Sequence, residues 1–172
     1  MAEFADALRL VAGLRRRRPA RSLPALDALF RRLAACTRAD EALATEDRIW
    51  DLWMSHPHRS VEEALDLATR DIAARRYDIA ETRLALLLRR RPDFPEAWHK
   101  RATLHYLLGQ DEQCVRDVRR TLELEPRHFG ALLHLGEILL GAGDAGGARL
   151  AFGTALALHP RQPRARAVLD TL

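Results

Sequence analysis

Between Val61 and Gln162 small and apolar side chains recur at a fixed interval. Val61 to Phe94, Pro95 to His128 and Phe129 to Gln162 align without a gap as three units of 34 residues. The eighth place is small in each (Ala68, Ala102, Gly136), as is the twentieth (Ala80, Cys114, Ala148), and each closes on a proline, at 92, 126 and 160. Inside the units apolar positions follow the three-to-four spacing of amphipathic helices. Two helices per unit are predicted, near 61–74 and 77–91, 95–108 and 111–124, and 129–142 and 145–158. Ser60 with Glu63, and Asp93 with Glu96 and Pro95, read as helix-starting capping boxes. Gly109 and Gly143 stand at the fifteenth place, where the turn between paired helices needs a left-handed backbone. Arg75 holds that place in the first unit and predicts a looser turn. A period of this length is that of a helix-turn-helix solenoid.

The pattern extends more faintly in both directions. Counted back from Val61, residues 27–60 place Asp27 first, Phe30 fourth, Leu33 and Ala34 seventh and eighth, and Trp50 twenty-fourth, and they read as a degenerate repeat. Glu46, Trp53 and His58 depart from the pattern, as a terminal repeat tolerates. Trp50 and Trp53 are expected to bury the junction with the first regular repeat. Residues 1–26 hold a basic amphipathic helix, with Phe4, Ala7, Leu8, Val11 and Leu14 on one side, and a proline-bearing linker from Pro19 to Pro24. Pro163 opens a short capping helix over 163–172, with Ala165, Val168, Leu169 and Leu172 on one side. The expected units are therefore 1–26, 27–60, 61–94, 95–128, 129–162 and 163–172.

Composition changes this picture little. The chain has 172 residues, 48% hydrophobic and 30% charged, a size and balance suited to one cooperative core. It has no apolar run near the roughly 20 residues that span a bilayer. The first helix lacks the charge order of a secretory signal, so a cytoplasmic location is expected. The net charge of +4 is uneven: residues 1–38 carry nine arginines against Glu3, Asp6 and Asp27, which leaves the remainder slightly acidic. That concentration argues against a dedicated nucleic-acid face. It leaves peripheral association with a membrane or a nucleic acid through residues 1–21 as the alternative function. Cys36 and Cys114 suggest no disulfide framework, and Cys114 takes the place of a small buried residue.

Candidate chemistry is sparse. His56 with His58, and His99 with His134, come without the closed ligand set of a structural metal site, and His105 sits where repeats pack. The glycines from Gly141 to Gly147 form an inter-helix turn, without the strand and lysine of a phosphate loop. No Ser or Cys has a recognisable base. No cofactor, metal or catalytic residue is therefore expected. Arg89, Arg90 and Arg91 end a helix and read as surface charge that suits its dipole; a basic convex patch shared with Arg116, Arg119 and Arg120 is the alternative, without the aromatic platform of a nucleic-acid binder.

Trp98, Ala102, Ala148, Phe152, Ala155 and the three closing prolines resemble the tetratricopeptide repeat signature. The runs Ala97 to Thr103 and Glu125 to Leu132 resemble those of a group of proteobacterial repeat proteins with no known activity. The resemblance implies an all-α fold, a right-handed α-solenoid whose first helices line a concave groove. It places in that groove Glu62, Leu65, Thr69, Ile72 and Ala73; Glu96, His99, Thr103, Tyr106 and Leu107, with Lys100 beside them; and Gly130, Leu133, Glu137, Leu140 and Gly141. Leu65, Thr69, His99 and Thr103 stand where a clamp for acidic chaperone tails has Lys and Asn, so a clamp of that kind is not expected. The implied function is a non-enzymatic adaptor or scaffold that binds a peptide or helical segment of another protein.

Overall fold

The predicted spacing is realised in ten helices across residues 2–21 and 23–172, which the computed structural model describes. Helix α1 (Ala2–Gly13) ends in a 3-10 turn, and α2 (Pro24–Ala35) and α3 (Ala39–Met54) form a hairpin. The regular pairs are α4 (Arg59–Ala73) with α5 (Tyr77–Arg90), α6 (Pro95–Leu107) with α7 (Asp111–Leu124), and α8 (Phe129–Gly141) with α9 (Ala145–Leu158). Helix α10 (Pro163–Leu169) packs on α9. The fold is all-α, and no helix among the described residues is long and apolar enough to cross a membrane.

Small residues let paired helices approach. A Cβ at Gly136 would come within 2.7 Å of the Phe152 ring. Ala68, Ala102, Ala80, Cys114 and Ala148 are fully buried at the equivalent places, and burial pushes the Cys114 thiol up to about 12. The eleventh and twenty-third places face each other and carry interchangeable pairs. Asp71 accepts from Arg83 at 2.7 Å in the first repeat, His105 lies 3.1 Å from Asp117 in the second, and Leu139 and Ala151 are both buried in the third.

Two local expectations are corrected. The turn at Arg75 is not looser: its φ of 58° matches Gly109 at 67° and Gly143 at 79°. All three turns make the same two backbone bonds, such as Arg76 N–H to Asp71 O at 2.8 Å and Gln110 N–H to His105 O at 2.9 Å. Neither capping box forms. Helix α4 starts before Ser60, leaving Glu63 to pair with Arg59, and Glu96 turns inward instead of back to its helix start. The side chains that do cap are His128, Asp144 and Gln162.

The N-terminal segments wrap the later repeats. Ala7, Leu10, Val11 and Leu14 of α1 are buried, and the helix lies along α7 and α9. Arg119 meets Glu3 and Asp6 at 3.2 Å each, and Arg116 meets Glu3 at 3.6 Å. The stripe once available to a membrane is thus spent inside the protein, and the Arg116–Arg119 part of the alternative basic patch is neutralised by α1.

Residues 27–60 form two helices, but their main contacts are not with the repeat that follows. Asp27 binds Arg127 at 2.6 Å, Arg161 donates to the Cys36 carbonyl at 3.0 Å, and Glu46 binds His159 at 2.9 Å. The hairpin therefore folds over repeats two and three rather than stacking ahead of Val61. Glu46 and Trp53, two of the residues that break the repeat pattern, hold it there.

Candidate functional site

The concave side of the second and third repeats is built from the first helices α6 and α8, and α3 lies across part of it. Trp50 stacks on His99 at 5.6 Å and 28°, His99 on His134 at 5.2 Å, and His134 on Tyr106 at 5.3 Å. The result is a ladder of four rings along the groove. Trp53 lies flat on His128 at 4.1 Å and meets Phe129 at 5.0 Å. Gly130 makes room for the ladder, because a Cβ there would sit 2.6 Å from Trp50 and 3.2 Å from His99 Nε2. The tryptophans thus bury the face of repeats two and three, not the junction with the first repeat.

Beneath Trp50 is a buried polar network. Glu96 is fully buried and receives His128 Nε2 at 2.8 Å, with His99 Nδ1 at 3.3 Å and the Lys100 ammonium at 3.2 Å. Lys100 also stands over the Trp50 ring at 5.7 Å. Burial opposes ionisation of Glu96, but the two imidazoles outweigh it and hold the carboxyl well below its usual range. Burial also lowers His99 to about 4 and His134 to about 3, with neighbouring imidazoles adding to both shifts. His99 Nε2 and His134 Nδ1 have no hydrogen-bond partner.

Glu96, His99 and His128 bring their ligand atoms within 4.8 Å of one another, a grouping that could hold a metal ion. The tautomer of His128 argues against one. Its Nδ1 accepts the Ala131 N–H at 3.1 Å, so the proton of the neutral ring is on Nε2, which donates to Glu96. A metal would need that nitrogen bare and would cost α8 its cap.

The expected groove residues accordingly divide. Leu65, Glu96, His99 and Leu133 are buried, as is most of Ile72, and none of them offers a side chain to a partner. Glu62 is half-buried and accepts the His56 N–H at 2.9 Å. Thr69 and Thr103 are half-buried and return their hydroxyls to the carbonyls of Leu65 and His99. What remains open lies toward the C-terminal ends of the first helices: Leu107 at 50% exposure and Leu140 at 38%, with half-buried Tyr106 next to Leu107. Glu137 lies beside them, in contact with Arg164, with its pKa raised by burial. Glu46, Trp50, Trp53 and His128 were missed as parts of this site, since only the fold brings them to it.

No family model matches the chain. Over 119 residues, 69% of its length, it is 30% identical to a curated TPR repeat-containing protein of Rhizobium etli. It spans 58% of that relative, somewhat over half. Among solved structures it is similar to the Yersinia enterocolitica type III secretion chaperone SycD in complex with a peptide of the translocator YopD. The TM-score is 0.62 at 16% identity, over 66% of this chain and 92% of that one. It is also similar to the Sgt2 TPR domain of Aspergillus fumigatus, with a TM-score of 0.61 at 20% identity, over 69% of this chain and 79% of that domain. These structural likenesses bear on fold.

Proposed function

Because the chain is a tetratricopeptide-repeat solenoid, we propose that it is a non-enzymatic adaptor that holds an apolar segment of another protein in the open end of its groove. The observation that carries this reading is the exposure of Leu107 and Leu140 beside Tyr106, at groove positions that neither α3 nor α10 covers. Side chains of this size left in water beside a rigid helical wall favour association with an apolar surface. The Yersinia chaperone of similar fold is seen with a peptide, which supports peptide capture on this scaffold. The Trp50–His99 contact closes the other end of the groove, so the segment held is short.

Both leucines are exposed, so Leu107→Asp with Leu140→Asp leaves the core untouched. Affinity purification from the native organism, compared by mass spectrometry, should show specific partners of the wild type missing from the variant, with helical circular dichroism unchanged. Partners retained at wild-type levels would sink the groove reading.

A further inference from the structure

We propose that the outer side of α4 and α5, the leading face of the first regular repeat, is a docking site for an acidic amphipathic helix of another protein. In the third repeat Leu135, at the seventh place, is fully buried. Its counterpart Leu67 is 44% exposed, and Leu86 on α5 is 43% exposed. With Val61, Ala64 and Leu87 they floor a groove of about 570 Å³. The 34-residue count would seat residues 27–60 here. That hairpin is held on repeats two and three by Asp27 and Glu46, so the face stays open.

The occupant follows from the shape and the charge of the groove. In the second repeat α6 is covered by α4 and α5, and in the third α8 is covered by α6 and α7, so a helix is the shape that a leading face receives. The charged margin here is basic. Arg83, Arg90 and Arg91, with His58, stand against the single acid Glu63, which exposed Arg59 already meets at 2.8 Å. Arg83 gives its Nε to Asp71, Arg91 lies 3.4 Å from Asp93, and Arg90 has no ion pair among the described residues. Arg83 and Arg90 are seven residues apart on α5, with Leu86 and Leu87 between them. That is two turns, or roughly 10 Å. A helix laid along the groove meets this order with an apolar stripe over Leu67 and Leu86 and an acid at each end of the stripe. A nucleic acid would use the arginines and leave the leucines in water. A second copy of this face would set one basic margin against another. The site shares no residue with the groove end at Leu107 and Leu140, and it does not rest on the adaptor reading.

The probe is a synthetic helical peptide of 15 residues, the length of α4, with leucine at every third or fourth place and a glutamate beside each end of that stripe. Titrated against the full chain by fluorescence anisotropy, it should bind in the micromolar range and more weakly as salt rises. The same peptide with lysine in place of glutamate should bind about tenfold more weakly or worse. Arg90→Glu should weaken the acidic peptide by about tenfold and strengthen the lysine peptide. Leu67→Asp with Leu86→Asp should abolish binding of the acidic peptide with helical circular dichroism unchanged. Leu107→Asp with Leu140→Asp should leave it intact, which separates this face from the groove end. Arg90 is exposed, so its variant decides the matter even where the leucine variant unfolds. No binding of the acidic peptide overturns the proposal, as does equal binding of the two peptides or binding indifferent to Arg90→Glu. Tighter binding of a DNA oligonucleotide overturns it too, and so does a wild type that sediments near twice 19.5 kDa until Leu67→Asp with Leu86→Asp dissociates it.

Discussion

His99 shows how one side chain can be both pattern and exception. Its place in the repeat is a groove position, yet Trp50 covers it and burial holds its pKa at about 4. An unfolded chain returns the ring to 6.5. A folded value below the unfolded one means that the unfolded state binds more protons between the two, so stability falls as pH drops from 6.5 toward 4. His134, at about 3, adds to the same slope. The depressed Glu96 acts with the same sign, lower in pH, where its unfolded form takes up a proton. Each histidine contributes roughly 1.4 kcal/mol per pH unit inside its window. Urea unfolding at neutral pH and near pH 5 should therefore show a loss on the order of a few kcal/mol. His99→Gln should remove part of the slope, and an unchanged slope would mean that the ring is not buried as described.

At the scale of elements, the turn at Arg75 carries a cost that its two counterparts avoid. A side chain at a φ of 58° meets the following carbonyl, where glycine does not. Arg75→Gly should therefore stabilise the fold by about 1 kcal/mol, read as a higher urea midpoint with an unchanged slope. A loss of stability would show that Arg75 makes a contact worth more than the strain. The same turn shows what could be read without coordinates. Paired helices were legible because the eighth and twentieth places and the closing prolines are local signals, repeated three times. The hairpin α2–α3 was legible as two helices and misleading as to place. Trp50 fits the twenty-fourth position of a repeat, but its seat is Gly130 and His99, far along the chain, and no spacing encodes that complementarity. Glu46 and Trp53 were the visible warning, since each breaks the repeat pattern to make a distant contact. The groove was misread for the same reason: Glu96 and His99 stand at places expected to line it and are filled from within.

At the scale of the molecule, the buried apolar residues among those described fall into two clusters. One joins α4, α5 and part of α6, and the other gathers α1, α2 and α3 with the second and third repeats. The first regular repeat thus has its own smaller core, held to the rest mainly through α6. Such arrays open by units rather than all at once. In native-state hydrogen exchange, amides of α4 and α5 should lose protection at a lower denaturant concentration than those of α6 to α9. Simultaneous loss would show that the two clusters open as one. The docked hairpin has a further consequence, for speed. Repeat arrays make almost only neighbouring contacts and have low contact order, which is why their helices can assemble quickly. Here Asp27 meets Arg127 across 100 residues, and Glu46 meets His159 across 113. Those contacts close a loop around most of the chain, which raises the contact order and should slow folding relative to an array without the docked hairpin.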